Sequence, residues 1–498
     1  MSRRKEIFKD AGIYTVSSYI AQFLDIFTGI LSRRFLGPAN MGIWSFLQVI
    51  LNYAKHSALG VTMATARDVP YFREKGDAAR VEETKNLVFT FTLATSLLCS
   101  LGVAGYAFWE RPRLSPAIFT GLLAVAVLVL LQRMYNLYVV LLRAHKQFAF
   151  VGVLNIFSSV LGLLLTAGLT WRFQLYGFYA ATLLNYLLIL IYIQRRSGQR
   201  FSFRFNLKPM LPLLSFGFAV LVSDILRTVF TSMDRIIITK YLGFEELGLY
   251  SIALMASNYL YSLPNMIGIV FFPHFQEVFA KRDNSADLEK FLTGPTFCLA
   301  YLFPLLIGTL WIFSPLFVSR VLPEYLRGTR AMQVLSLASF FWALTHAFSL
   351  FMVTVRRHWH LVPLNGLLAG LAWLTMTFFI KSGWGIEGIA VSGILLAAIY
   401  FFALSLMALV QIYDKAKILK FYFKIALIFI YLSAALLLLD IFFGRAAGLL
   451  LAVKYSVFLL VISPLLFLAE KEQQIFSTLR GLAAERLSRK KREPHAAA

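Results

Sequence analysis

The chain has 498 residues, of which 59% are hydrophobic and 15% are charged, and its formal net charge is +23. Soluble domains average about 45–50% apolar and about 25% charged residues, so this composition excludes an ordinary soluble protein. A large positive charge is typical of nucleic-acid-binding proteins. Here, however, the basic residues lie between long apolar segments, and we expect a membrane protein with no nucleic-acid partner.

Apolar segments of membrane-spanning length recur along the whole chain. A helix crosses about 30 Å of hydrocarbon in roughly 20 residues, and over such a stretch a helix pairs its own backbone groups in lipid. The sequence therefore predicts an all-α polytopic membrane protein with about fourteen transmembrane helices. The predicted spans are 13–32, 42–64, 86–108, 116–141, 150–171, 175–193, 211–232, 247–272, 291–318, 330–355, 361–380, 386–410, 422–443 and 447–469.

Basic residues are concentrated at the start of the chain and in the connections that follow even-numbered spans. Because Lys and Arg are enriched in cytoplasmic loops, this pattern places both termini in the cytoplasm. The basic end of the chain is explained by attraction to anionic lipid headgroups. The residues that carry the pattern include Arg3, Arg4, Arg67, Arg73, Arg143, Arg195, Arg196, Arg356, Lys415 and Arg492.

An internal repeat divides the chain. The sequence RFLGPANMGIWS at 34–45 returns as KYLGFEELGLYS at 240–251, which is 206 positions later. The segment 70–74 resembles 273–277, and 146–155 resembles 356–365, in the same order and at similar separations. Such self-similarity is the signature of duplicated structural units.

The repeat unit contains six predicted helices, an even number, so the two copies have the same orientation in the membrane. Parallel repeats of this kind form two bundles that rock about a midplane site in transporters. We therefore predict two six-helix bundles related by pseudo-twofold symmetry, alternating access, and a polar lumen. The predicted divisions are 1–205 and 206–411 for the bundles, 412–469 for two additional helices, and 470–498 for a basic cytoplasmic tail.

Polar and charged residues within the spans are candidates for lining that lumen, because an ionised side chain facing lipid costs about 2.5–3.5 kcal/mol on insertion scales. No catalytic group and no metal-ligand cluster is expected, and the two cysteines lie in separate spans. Asp25 and Asp224 are candidates for ion coupling. The candidates for substrate binding are Gln22, Arg34, Asn52, Lys55, Arg133, Arg227 and Asn258.

Several of these residues have a structural alternative. Arg33 and Arg34 stand at a span end, where snorkelling to the interface is expected. Asp224 and Arg227 are three residues apart and can neutralise each other, and Lys55 can pair with Asp25. The glycines of the repeated motif, which are Gly37, Gly42, Gly243 and Gly248, are expected to shape tight outward turns.

The repeated motif resembles a known signature. Arg34-Phe-Leu-Gly-Pro38 followed by Gly42-Ile-Trp-Ser45, and the segments 233–243 and 248–253, are similar to the loop patterns of the polysaccharide transporter family. That family includes O-antigen and exopolysaccharide flippases within the multidrug/oligosaccharidyl-lipid/polysaccharide exporter superfamily.

The resemblance implies a flippase of the bacterial cytoplasmic (inner) membrane that serves lipopolysaccharide or exopolysaccharide synthesis. Its cargo would be an undecaprenyl-diphosphate-linked oligosaccharide, and its partners would be membrane lipids and polysaccharide polymerase machinery. It implies no cofactor beyond coupling to a proton or sodium gradient. A lipid II flippase and an ion-coupled multidrug or metabolite antiporter of the same superfamily are the alternatives, and a membrane enzyme or scaffold is a further one.

Overall fold

A computed structural model describes residues 3–204, 206–262, 289–355, 357–444 and 446–473. Within these ranges the chain is helical and contains no strand, so the all-α class predicted from hydropathy is confirmed. The repeat segment 273–277, Arg356 and most of the predicted tail at 470–498 lie outside the described residues.

In the described ranges, fourteen helices follow one another, with short turns between most of them. The first eight are α1 Arg3–Ala54, α2 Val61–Glu74, α3 Ala78–Trp109, α4 Pro116–Ala144, α5 Phe148–Leu165, α6 Trp171–Ser197, α7 Leu207–Tyr241 and α8 244–262. The remaining six are α9 Glu289–Val321, α10 Thr329–Thr354, α11 Leu361–Lys381, α12 Gly385–Leu409, α13 Lys415–Phe443 and α14 Leu449–Gln473.

Nine segments of the described residues are long and apolar enough to cross a membrane. One of them, 148–197, contains two predicted spans, which are separated at Gln174, where φ is +49° and ψ is −126°. These segments establish a multi-pass membrane protein.

The first predicted span and the first part of the second lie within α1, and Gly37 separates them. Its φ of +66° and ψ of 173° are outside helical geometry, so α1 consists of two helices that meet at this kink. Residue 38 is proline, which lacks an N–H and cannot continue a regular helical ladder. Gly37 therefore shapes a sharp change of direction between the two spans, in agreement with the prediction for this glycine. At the other end, the span predicted over 42–64 is interrupted, because α1 ends at Ala54.

The chain forms two compact units. The first contains Met1–Ile252, Val321–Arg327 and Leu361–Gly388, and the second contains Ala253–Arg320, Gly328–His360 and Ile389–Ala498. In the first unit, a core of buried side chains such as Val61, Leu87 and Leu141 joins α2, α3, α4 and α7. The divisions predicted from the repeat remain predictions.

Within the first unit, the two copies of the repeated motif interlock. A Cβ atom added to Gly42 would overlap the carbonyl group of Phe244, and one added to Gly248 would overlap the carbonyl group of Pro38. These four positions are equivalent in pairs across the 206-residue repeat, so the contact is reciprocal. Of the four glycines of the repeated motif, only Gly37 and Gly243 have positive φ. Gly42 and Gly248 were predicted to shape turns, and this prediction is wrong. Both are sites where two backbones approach closely.

Arg33 also differs from its predicted role. It is buried, and its guanidinium donates to the hydroxyl and the carbonyl oxygen of Ser251, at 3.2 and 2.9 Å. The Tyr325 hydroxyl in turn donates to the Arg33 carbonyl oxygen at 3.2 Å. Arg33 therefore joins the α1 kink to α8 instead of snorkelling to the interface.

Candidate functional site

The most distinctive feature of the first unit is a break in the helix after Ala54. A 3₁₀ turn, Lys55–Ala58, leads to Leu59 and Gly60, whose φ angles are +48° and +76°, and α2 starts at Val61. Such a break frees backbone groups from the helical ladder. In a membrane protein, irregular backbone is tolerated where it is buried in protein or lines a cavity.

The break is held against α7 by two glycines. A Cβ atom on Gly60 would overlap the Gly217 backbone, and one on Gly217 would lie 2.7 Å from the Gly60 carbonyl carbon. Gly60 also needs its positive φ, which L side chains rarely adopt. Glycine is therefore required at both positions for the backbones to meet, and this contact fixes where the broken helix sits on α7.

Polar side chains of α7 form hydrogen bonds with residues around the break. The His56 Nε2 atom lies 2.8 Å from the Thr228 hydroxyl, and the Tyr53 hydroxyl lies 3.1 Å from that of Ser232. Thr228 and Ser232 are four residues apart and share one face of α7. Ser232 was not among the polar residues identified from the sequence, although its spacing from Thr228 could have indicated it.

Four of the predicted site residues meet at this break. Arg133 of α4 donates to the Lys55 carbonyl oxygen at 2.6 Å. The Lys55 ammonium group interacts electrostatically with Asp224, Arg227 and Arg133. Lys55 and Arg227 are exposed, whereas Arg133 and Asp224 are partly buried. We call Lys55, Arg133, Asp224 and Arg227 the break cluster. Three cations face one carboxylate, so the cluster has an excess of positive charge.

A cavity of about 440 Å³ adjoins the break cluster. One wall is the last turn of α1 and the 3₁₀ turn, through Ile50, Tyr53, Ala54 and Ser57. The facing wall is α3, through Thr95, Cys99 and Val103. The lining is mostly apolar, which contrasts with the charges beside it.

The other predicted residues lie apart along the chain. Asp25 accepts a hydrogen bond from Ser159 of α5 and interacts with Tyr135 and Tyr186. The acid that acts on Lys55 is Asp224, not the Asp25 considered from the sequence. The remaining candidates are Gln22 and Asn52, which are half-buried on α1, Arg34, which is exposed beside the kink, and Asn258, which is exposed on α8 in the second unit.

A second charged cluster, missed by sequence reasoning, lies in the second unit. The Asp440 carboxylate accepts hydrogen bonds from the Trp311 indole N–H at 3.0 Å, Arg330 at 3.2 Å and Lys454 at 2.7 Å. Lys454 also donates to the Gly444 carbonyl oxygen at 2.9 Å. We call Trp311, Arg330, Asp440 and Lys454 the Asp440 network. It ties α13 and α14 to α9 and α10.

Near their other ends, α13 and α14 are joined to α9 by a similar contact. The Tyr301 hydroxyl donates to the Glu472 carboxylate at 2.9 Å, and Lys424 forms an ion pair with the same carboxylate. The ring of Phe458 packs against Gly308 of α9, where any side chain in place of the glycine would overlap that ring.

No three His, Cys, Asp or Glu side chains gather as metal ligands in the part of the chain that the structure describes.

Comparison with known proteins places these features in a family. A family model described as polysaccharide biosynthesis protein matches residues 30–326, more than half of the chain. A Shigella flexneri protein provisionally named an O-antigen transporter is 24% identical over 57% of this chain and 71% of its own length. The succinoglycan biosynthesis transport protein ExoT of Rhizobium meliloti is 28% identical over 46% of each chain.

Solved structures share the fold at low sequence identity. The lipid II flippase MurJ in an inward closed conformation is similar over 92% of this chain and 99% of its own, with a TM-score of 0.68 and 14% identity. An inward-facing multidrug resistance transporter of the MATE family, in the MOP superfamily, is similar over 80% of this chain and 98% of its own, with a TM-score of 0.63 and 13% identity. The chain therefore has the fold of the MOP superfamily.

Proposed function

The chain belongs to the polysaccharide biosynthesis protein family, and from this membership we propose that it is a flippase for a polyprenyl-diphosphate-linked oligosaccharide. It would move this lipid from the cytoplasmic to the outer leaflet by alternating access, for the synthesis of a cell-surface polysaccharide. The observation that supports the proposal most strongly is the break cluster, a positively charged group at an interrupted helix in the first unit.

The chemistry of the cargo explains why such a cluster is needed. A diphosphate and a row of sugar hydroxyls cannot enter hydrocarbon unaided, because unpaired polar groups cost several kcal/mol there. Lys55, Arg133 and Arg227 supply N–H donors and positive charge that can replace the water around a diphosphate. Arg is especially suited to this role since its planar guanidinium binds phosphate in a bidentate manner.

Asp224 and Asp25 suit a coupling role in the same proposal. Asp224 acts on Lys55, so binding a proton or a sodium ion at Asp224 would change the charge that the diphosphate meets. Asp25 lies apart, beside Ser159 and two tyrosines. We propose that a proton or sodium gradient drives transport through one of these carboxylates, and that no cofactor takes part.

The location and partners follow from the same proposal. We propose that both termini lie in the cytoplasm, because Lys and Arg are enriched in cytoplasmic loops and basic residues follow the even-numbered predicted spans. We also propose, from the family membership, that the membrane is the inner membrane of a bacterium. The oligosaccharide would be assembled on the cytoplasmic face and handed to polysaccharide polymerase machinery on the outer face. No step of bond making or breaking is proposed for this chain.

A deletion strain tests the proposal in cells. Loss of the protein should abolish the surface polysaccharide and leave the lipid-linked oligosaccharide on the cytoplasmic side. The similarity to the MurJ fold makes a lipid II flippase the second candidate. Rescue of cells depleted of lipid II flippase activity would favour that candidate. Proton-driven exchange of a small organic cation, with surface polysaccharide unchanged in the deletion strain, would favour a multidrug antiporter.

A further inference from the structure

The cavity beside the break cluster is formed by one stripe from each of two helices. Thr95, Cys99 and Val103 recur at intervals of four residues and therefore share one face of α3. Ile50, Tyr53 and Ala54 share the facing side of α1. The cavity is a gap between two helices, and its mostly apolar lining suits hydrocarbon better than sugar or phosphate.

Two cations of the break cluster, Lys55 and Arg133, neighbour residues that line the cavity. Ala54, which lines the cavity, is followed in the chain by Lys55. The Arg133 guanidinium interacts electrostatically with the Cys99 thiol, which lines the opposite wall, and donates to the Lys55 carbonyl oxygen. A ligand in this cavity would therefore have its polar end at two cations and its apolar end between α1 and α3.

The other side of the same helix is apolar and exposed. Leu97 and Leu101 of α3 face away from the cavity stripe, and both are exposed, as is Leu98. In a membrane, such residues face lipid.

We infer that this cavity binds the isoprene units next to the diphosphate of a polyprenyl diphosphate, while Lys55 and Arg133 hold the diphosphate itself. The inference rests on the proposed function and extends it, since it assigns the lipid part of the cargo to a site between α1 and α3. The cavity volume of about 440 Å³ lies within the range of about 300–1,000 Å³ typical of small-ligand pockets. It holds only the first units, and the rest of the chain stays in lipid.

Charge and shape together select this ligand over an ordinary phospholipid. A polyprenyl diphosphate carries two phosphates on one narrow chain, whereas a phospholipid carries one phosphate on two chains. The break cluster has more positive than negative groups, which favours the ligand with more phosphate. We expect neither the chain without its diphosphate nor the diphosphate without its chain to bind comparably.

Cys99 provides a reporter inside the cavity. The chain has two cysteines, so Cys298→Ser leaves Cys99 as the single thiol, and its rate of alkylation by a maleimide in detergent measures access to the cavity. Farnesyl diphosphate should slow this reaction at least tenfold at saturation. Farnesol and inorganic pyrophosphate, each at the same concentration, should slow it less than twofold.

Two outcomes of the alkylation experiment would overturn the inference. If farnesyl diphosphate gives no protection, the cavity does not hold the chain. If farnesol or dioleoyl phosphatidylglycerol protects as well as farnesyl diphosphate, the cavity is a general lipid site and the cations do not select the ligand.

A pair of variants on one helix separates cavity filling from a general disturbance. Val103→Trp fills the cavity, whereas Leu101→Trp adds the same bulk on the exposed face. Val103→Trp should weaken binding of radiolabelled farnesyl diphosphate at least tenfold, and Leu101→Trp should leave it within twofold. Equal loss in both variants, or no loss in a folded Val103→Trp protein, would contradict the inference.

The alkylation experiment is independent of transport. Protection of Cys99 by farnesyl diphosphate in a protein that moves no glycan lipid would support the cavity and reject the flippase. Transport of the glycan lipid without protection of Cys99 would support the flippase and reject the cavity. The two proposals therefore fail separately.

Discussion

Lys55 and Lys454 are both lysines within apolar sequence, but the structure surrounds them differently. Lys454 is 4% exposed and donates to the Asp440 carboxylate and to the Gly444 carbonyl oxygen. Asp440 is also bound by Trp311 and Arg330. Lys55 is exposed and shares its surroundings with two further cations and Asp224.

This difference separates two uses of charge in a membrane protein. A buried cation that is paired with a carboxylate of its own protein stabilises helix packing and is shielded from a ligand. An exposed cation among other cations gains little from its neighbours and is available to an anion. The Asp440 network is therefore assigned to stability and the break cluster to binding, and each assignment can be tested by substitution.

The largest effect on stability is expected for Asp440→Ala. The substitution leaves Lys454 buried without its counterion and the Trp311 N–H without its acceptor, and breaking a buried ion pair costs about 3–5 kcal/mol. Since the Asp440 side chain is 24% exposed, we expect about 3 kcal/mol, near the lower limit. The midpoint of thermal unfolding in detergent measures this loss.

A double variant shows whether charge or packing is responsible. Asp440→Leu combined with Lys454→Met removes both buried charges and keeps apolar volume, which is often neutral for stability. This variant should recover most of the loss. A double variant as unstable as Asp440→Ala would mean that the network acts through its shape and hydrogen bonds rather than through the pairing of charge.

The interlocked glycines Gly42 and Gly248 provide a stabilising contact between helices that involves no charge, in contrast to the Asp440 network. Gly42→Ala places a methyl group on the carbonyl of Phe244, and backbone cannot move aside as a side chain can. We expect a loss of about 1–3 kcal/mol, as for other overpacked cores. Gly105→Ala on α3 is the matched control, since nothing lies within 4 Å of its added Cβ. A loss as large in the control would contradict the interlock.

Substitutions in the break cluster should lower transport without lowering the stability of the protein. Lys55→Ala and Arg227→Ala should each lower export of surface polysaccharide about tenfold, equivalent to about 1.4 kcal/mol of lost interaction with the cargo. Both side chains are exposed, so the protein should remain in the membrane at normal abundance. Export is measured against protein abundance in the membrane fraction. Normal export in both variants would remove these residues from the site.

The smallest effect is expected at an exposed ion pair. Glu74 and Lys146 lie 3.0 Å apart, and each side chain is about half exposed. Exposed pairs contribute about 0–1 kcal/mol, so Glu74→Gln should change neither stability nor export by a measurable amount. A large change would show that exposure alone does not distinguish the break cluster from other charged surfaces.

The helices and the repeat could be predicted because their signals are local. Apolar length predicts the end of α13 at residue 443 and the start of α14 to within two residues, whereas α13 begins seven residues before its predicted span. The repeated motif anticipated that Pro38 and Phe244 are equivalent, and the structure shows them in reciprocal contacts. A spacing of three residues identified Asp224 and Arg227 as polar residues of one helix.

The break and the Asp440 network could not be predicted because they depend on distant residues. No proline marks the break, and Gly60 is its only local sign. The turn is held by Gly217 and Arg133, which are far from it in sequence. Lys454 and Asp440 lie near the ends of consecutive predicted spans, where charged residues are commonly interpreted as interfacial.

Translocation by the purified protein tests the central claim most directly. The protein is reconstituted in vesicles with an undecaprenyl-diphosphate-linked oligosaccharide, and the leaflet of the glycan is followed under imposed proton and sodium gradients. We predict transfer between leaflets by the unaltered protein and about tenfold slower transfer by folded Lys55→Ala protein. No transfer by the unaltered protein under any gradient would contradict the account.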